Sequence, residues 1–332
     1  MHLAMMTAGS SPDSRSRRSV RLIGNARLAT LAMALCLASA AATGQVTPPP
    51  TGAQQTPPQA ASPLPATVTY ALKGGAVVIK AGGAIGTGQE AVFDLSLVKC
   101  VVASDAGLPE PPAANPQEAV GTSMGPLTGR TFKLRLVRIG TASFADVPAI
   151  VGDMAQHLSP SGAGDLPRVW IGLGALGSPI VRLDPSRSEL AVLPAAGIVG
   201  KVERVPVKQL QGRIGLEVTA GTAPPCSMVV SSTSSATVLP AGVVAALKLK
   251  PVQELAVAVP GSRPGVARVY EVPELRIGKH KFAKVTAVTF IPPLPGLPAG
   301  VGVVGTDLLQ RVRSTWVPAE GYVYMERLPD PK

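Results

Sequence analysis

The sequence predicts an all-β chain of two similar lobes, each carrying one or two short helices, and three observations lead there. The first is an internal repeat. Val137-Arg138-Ile139-Gly140, followed by Phe144-Ala145 and Val147, returns as Leu275-Arg276-Ile277-Gly278, followed by Phe282-Ala283 and Val285, an offset of 138. The second is a pair of flanking landmarks at nearly the same spacing. Trp170-Ile171-Gly172 answers Val303-Val304-Gly305 at 133, and the strand-like run ending at Asp94 answers the one ending at Ser231 at 137. Three landmarks in one order at nearly one offset mean two copies of a module, and the period is too long for a solenoid. The third is texture: short β-branched runs punctuated by Gly and Pro, the pattern of strands and turns.

Residues 1–44 stand outside the repeat. Arg15, Arg17, Arg18, Arg21 and Arg27 precede an apolar run over 28–42 and then small residues, the layout of a secretory signal peptide. The run is shorter than the roughly 20 residues of a membrane span. Leu35 before Cys36 does not suit a lipidation site. Ser16-Arg17-Arg18 hints at twin-arginine export, but Arg21 sits where that signal wants an apolar residue, so a Sec-type leader and a periplasmic or secreted destination are the reading. Residues 45–65, with Pro48-Pro49-Pro50 and Pro57-Pro58, offer little to bury and read as a disordered Pro-rich linker. The folded part divides into a first lobe over 66–195 and a second over 196–332.

In the first lobe, strands are predicted over 68–72, 76–80, 90–94, 132–139, 149–151 and 169–171. In the second they fall over 214–219, 227–230, 267–272, 275–277, 285–290 and 301–304. The best helix lies over 240–248, with Pro at an early position and an Ala-rich continuation. Its first-lobe counterpart, 105–119, holds Pro109, Pro111, Pro112 and Pro116, which prevent a regular helix. A short helix over 306–311 follows Gly305. Its counterpart near Ala175-Leu176 is cut short by Gly177 and Pro179. Each copy closes on an edge hairpin: 180–183 with 189–193, and 315–317 with 322–326.

Composition excludes several functions. The net charge is +11, but the leader contributes five Arg and one Asp, so the remainder carries about +7. Its basic residues are scattered and only 3% of the chain is aromatic, which leaves no stacking platform or basic stripe for nucleic acid. The histidines are His2, His157 and His280, with His157 and His280 read as surface residues. The cysteines beyond the leader are Cys100 and Cys226, one in each copy; an exported compartment would permit a bridge between them, but they do not occupy equivalent positions, and two buried free thiols are the reading over a disulfide. Neither a metal cluster nor a Ser-His-Asp or Cys-His arrangement can be assembled from this set, so no cofactor or metal is expected.

The order of elements resembles the pepsin-like and retropepsin-like aspartic peptidases, in particular their exported bacterial tandem form. Val229-Val230-Ser231-Ser232-Thr233-Ser234-Ser235-Ala236, with the tail Thr237-Val238-Leu239-Pro240, fits the frame in which that family carries Asp-Thr-Gly-Ala-Ser. Val92-Phe93-Asp94-Leu95-Ser96 fits it in the first copy. Val303-Val304-Gly305-Thr306-Asp307-Leu308-Leu309 and Trp170-Ile171-Gly172-Leu173-Gly174-Ala175-Leu176 resemble the closing strand and helix. The resemblance spans nearly all of residues 66–328. It implies two pseudo-twofold-related acid-protease-like β-barrel lobes.

In that family two carboxylates, one per lobe, share a proton and activate a water. Here Asp94 aligns with the first and Ser231 with the second, whose hydroxyl does not ionise near neutral pH. The triplet glycines, which let the backbones approach, are replaced by Ser96 and Thr233. Leu95 lacks the hydroxyl that ties the loops together, whereas Ser232 keeps one. Asp94 then reads as a vestigial residue or a strand-end hydrogen-bond acceptor, and no base stands in sequence to make Ser231 a nucleophile. Residues 120–125 and 259–265 resemble the flaps that hold extended substrate, which proposes Gly121, Thr122, Ser123, Gly261 and Ser262 as binding positions.

The implied function is that of a catalytically inactive exported relative, a monomer, whose cleft binds an extended peptide by strand pairing. The alternative is an active aspartic endopeptidase that brings Asp94 to Asp94 by dimerisation. A plain β-rich carrier is a third reading.

Overall fold

The structure is a computed structural model of the chain, and it describes residues 65–122, 125–154, 166–194, 202–257, 265–294 and 296–329. The leader, nearly all of the linker and His157 lie outside the described residues. The described chain is all-β apart from a few single-turn and short helices. Its first half supplies β1 (Ala66–Lys73), β2 (Ala76–Gly83), β3 (Gln89–Asp94), β4 (Cys100–Ala103), β5 (Gln117–Thr122), β6 (Gly125–Ile139), β7 (Ala142–Gly152), β8 (Val169–Gly172), β9 (Ile180–Asp184) and β10 (Glu189–Leu193). Its second half supplies β11 (Glu203–Pro206), β12 (Lys208–Leu210), β13 (Arg213–Ala220), β14 (Cys226–Val230), β15 (Thr237–Val238), β16 (Gln253–Val257), β17 (Gly265–Ile277), β18 (His280–Ile291), β19 (Gly302–Val304), β20 (Val312–Val317) and β21 (Tyr322–Arg327).

Two sheets form. The larger runs β11-β21-β20-β9-β10-β1-β2-β3-β8-β4-β7-β6-β5, and the pairing of β2 with β6 closes six of its strands into a barrel. The smaller runs β12-β13-β14-β19-β15-β18-β17-β16, with β13 also pairing to β17. The strands at the heart of each sheet are parallel pairs, β3 with β8 and β14 with β19. Both faces of such strands are covered, so they read as continuous apolar runs rather than alternating ones. Ala91, Val92, Phe93, Val229 and Val230 are accordingly all fully buried.

The repeat seen in the sequence is structural down to the backbone. Ile139, Phe144 and Val147 are buried, and so are Ile277, Phe282 and Val285. Gly140 and Gly278 turn the two hairpins at φ 59° and 57°. Asp146 and Lys284, at matching positions, both sit at φ 51°.

The predicted strands are present, several of them longer than the sequence suggests. β4, β5, β11, β12, β15 and β16 were not predicted. Except for β4, a four-residue apolar run that is buried throughout, these are short or partly exposed, so neither alternation nor a long apolar run announces them. The helix predicted over 240–248 is Ala241–Ala246. Pro240 is its extended N-cap, and Lys248 at φ 52° lies beyond its end. The helix predicted over 306–311 is Thr306–Leu309. Its first-copy counterpart is the single turn Gly174–Leu176, ended by Gly177 in the left-handed conformation. The stretch 105–119 forms no helix.

The two hairpins expected at edges form but are not edges. β9 pairs with β20, Ser314 opposite Leu183 and Trp316 opposite Val181, so the sheet runs continuously from one copy into the other. Arg313 reinforces this junction. Its Nε lies 2.7 Å from Oδ2 of Asp184 on β9, and its Nη1 lies 2.6 Å from Glu326. His280 is not a simple surface residue: its side chain is 14% exposed, and Nε2 lies 3.3 Å from Glu203. Cys100 and Cys226 are both free, the first buried and the second half-buried. Burial pushes the Cys100 thiol up to about 12 and the Cys226 thiol up to about 11, so neither is a reactive thiolate near neutral pH.

Candidate functional site

Asp94 ends β3, and Gly172 of β8 stands beside it in parallel register. The chain then turns through Leu95, Ser96 and Leu97. Its path is fixed from below: Leu173 N–H donates to the Asp94 carbonyl and Gly174 N–H to the Leu97 carbonyl, each at 3.0 Å. A Cβ at Gly172 would lie 2.5 Å from the Leu97 oxygen, so only glycine allows this approach. The second copy repeats the device. Ser231 follows β14 and its N–H donates to Val304, Thr306 N–H donates to Ser234, and a Cβ at Gly305 would lie 2.5 Å from Ala236.

These two loops face each other and are bonded together. The Ser232 hydroxyl donates to the Phe93 carbonyl at 2.7 Å and accepts from the Leu95 N–H at 3.0 Å. The reciprocal bonds are missing because Leu95 has no hydroxyl to make them. Two further ties join the copies here. Val77 N–H donates to the Ser232 carbonyl, and the Thr306 hydroxyl donates to the Gly75 carbonyl at 2.8 Å.

Asp94 is fully buried, as are Ser231 and Ser232, and Ser96 and Thr233 are nearly so. Oδ1 of Asp94 accepts from the Ser96 N–H at 2.8 Å and from the Ser96 hydroxyl at 2.9 Å. Oδ2 accepts from the Thr233 hydroxyl at 3.2 Å. Thr233 Oγ1 lies 2.9 Å from Ser231 Oγ, which also accepts from the N–H groups of Thr233 and Ser234. A hydroxyl has one proton, so when Thr233 donates to Asp94 it must accept from Ser231. The result is a chain of hydroxyls ending on one carboxylate. Burial pushes the Asp94 carboxyl above the ordinary carboxylate range. The Ser96 and Thr233 hydrogen bonds and the Arg213 charge pull the other way without cancelling it.

Ser96 and Thr233, the two positions where the resemblance would expect glycines, are the ones that enclose Asp94. Ser96 covers one oxygen and Thr233 the other. Asp94 thus has no solvent exposure and accepts three hydrogen bonds, and the side chains across from it are the hydroxyls of Thr233 and Ser231.

Of the predicted flap residues, Gly121 and Thr122 are described and end β5, whose hairpin with β6 sets Thr122 opposite Gly125. Ser123, Gly261 and Ser262 lie outside the described residues. The rest of the second flap position, apart from Gly265, lies outside the described residues, and the strands that bound it pair Val257 with Gly265.

One residue of this region was not foreseen. Arg213 opens β13 after a turn with Gln211 at φ 51° and Gly212 at φ 76°. It is 3% exposed. Its Nη1 donates to the Thr122 carbonyl at 3.0 Å, its Nη2 donates to the Gly296 carbonyl, and its charge acts on Asp94. An arginine at a strand start is ordinarily exposed, so no local signal marked this one. Among the described residues no three His, Cys, Asp or Glu gather as a metal site, and no helix is long and apolar enough to cross a membrane.

Comparison with protein-family models and with curated proteins gives no match. Comparison with solved structures does. The aspartic proteinase from Irpex lacteus matches with a TM-score of 0.52 at 11% identity, over 80% of this chain and 97% of that one. At that identity the likeness is one of fold, and the fold is that of an aspartic proteinase.

Proposed function

We propose that this protein is an exported, monomeric pseudo-peptidase: an aspartic-peptidase-like chain of two pseudo-twofold-related lobes, 66–195 and 196–332, that binds extended peptide in its cleft and does not cut it. The observation that carries this reading is the state of Asp94. It is one carboxylate, fully buried, held by Ser96 and Thr233, and linked through Thr233 to a serine where a second carboxylate would be needed. Water activation by this class of site needs two carboxylates of unlike pKa around an open position. The matching hairpins at Gly140 and Gly278 and the shared fold support the two-lobed reading. Dimerisation through Asp94 is disfavoured because Ser232 and Thr233 of the same chain already occupy the surface it would need.

The test is digestion of a diverse peptide library from about pH 3 to 7, the range in which a carboxylate dyad shares a proton, read by mass spectrometry. Wild type, Asp94→Asn and Ser231→Asp run side by side. The expected outcome is no cleavage by wild type. Cleavage by wild type that Asp94→Asn abolishes would overturn the proposal.

A further inference from the structure

We infer that Arg213 is the recognition point of the cleft, and that the peptide it admits carries a carboxylate, as an acidic side chain or a free C-terminus, which pairs with this guanidinium. The inference rests on the peptide-binding reading above and adds a specificity to it. Its starting point is an electrostatic anomaly. Arg213 is 97% removed from solvent by its 3% exposure, and its two hydrogen-bond acceptors are the backbone carbonyls of Thr122 and Gly296, which carry no net charge. Among the described residues it makes no ion pair within 4.0 Å. Its Nε is buried without a hydrogen-bond partner. A buried guanidinium that lacks a direct ion pair and leaves one donor without an acceptor is costly to keep, and natural chains accept such costs mainly at functional sites.

The nearby acid does not remove the anomaly. Asp94 feels the Arg213 charge, but its oxygens are occupied by Ser96 and Thr233, and burial favours its neutral form. The unused Nε–H belongs to the edge of the guanidinium that receives a carboxylate through two parallel bonds. The position also fits. Arg213 touches the inner end of the first flap, where Gly121 has no side chain. A Cβ there would stand 3.0 Å from each of Nε, Cζ and Nη2, so the flat guanidinium lies against bare backbone.

The experiment uses the full mature chain and a synthetic set of extended octapeptides. Each is made with Glu and with the matching Gln, and each with a free and an amidated C-terminus. Binding is measured by fluorescence anisotropy for wild type, Arg213→Gln and Arg213→Lys, with thermal unfolding confirming that each variant is folded. The expected result is at least about tenfold tighter binding of a carboxylate-bearing form by wild type, in line with a charge-assisted hydrogen bond. That preference should vanish in Arg213→Gln and persist only in part in Arg213→Lys, which keeps the charge without the fork. The Glu and amide arms separate a side-chain carboxylate from a C-terminal one. Equal binding of all forms by wild type would overturn the role of Arg213 and leave the peptide cleft standing. No binding of any form would remove both.

Discussion

The Thr233 hydroxyl donates to Oδ2 of Asp94 at 3.2 Å, from a residue 139 positions away. Thr233 stands where the resembling family carries a glycine. At that position Thr233 supplies both a hydrogen-bond donor and side-chain bulk against the carboxylate.

Asp94 should make the protein relatively more stable in acid. Burial raises its folded-state pKa above the unfolded value near 3.9. Its contribution is then fully present below that unfolded value and is lost as pH rises through the folded one. Asp94→Asn keeps the size of the group and removes the titration. The difference in melting temperature between wild type and Asp94→Asn, followed from pH 3 to 8, should move in favour of wild type as pH falls. Each unit of upward shift is worth about 1.4 kcal/mol. A pH-independent difference would show that Asp94 titrates normally.

Asp184 should behave with the opposite sign. Burial acts upward on its carboxyl, but the hydrogen bonds from Ser186 and Arg313 and the Arg313 charge together hold it below the ordinary range. Its stabilising effect is present above the unfolded value and is lost as pH falls through the folded one. Asp184→Asn should destabilise by about 1–2 kcal/mol near neutral pH. That is less than for a fully buried pair, because Arg313 keeps 32% of its side chain exposed. Chemical denaturation at pH 7 and again near pH 3 should find the difference shrinking in acid.

Ser232→Ala should cost about 2 kcal/mol. It leaves the Phe93 carbonyl and the Leu95 N–H without the hydroxyl that bonds both, in a fully buried place. Amide exchange at Leu95 offers a direct readout and should accelerate, while exchange in the distant β6–β7 hairpin stays as in wild type.

Gly305→Ala should destabilise by about 3 kcal/mol or more, because the added methyl would overlap the backbone of Ala236 at 2.5 Å. Gly242→Ala, where nothing lies within 4 Å of the new methyl, is the matched control and should be close to neutral or better. Equal melting temperatures for the two variants would refute the close approach.

Much of the fold was legible in the chain. The repeat placed Gly140 and Gly278 in equivalent turns, and apolar runs placed β3 and β14 at the centres of their sheets. The candidate positions Asp94 and Ser231, and the retained hydroxyl of Ser232, followed from the order of the motifs. Local patterns of this kind report what a strand or turn requires within a few residues. Tertiary structure alone decided the rest. It joined β9 to β20 where two edges were expected, seated Thr233 on Asp94, and turned Arg213 from a strand-start cation into a buried one beside the first flap. Each of these joins residues about 90 to 140 positions apart, and where a side chain lands at that range depends on how the sheets close, a property no short stretch of sequence carries.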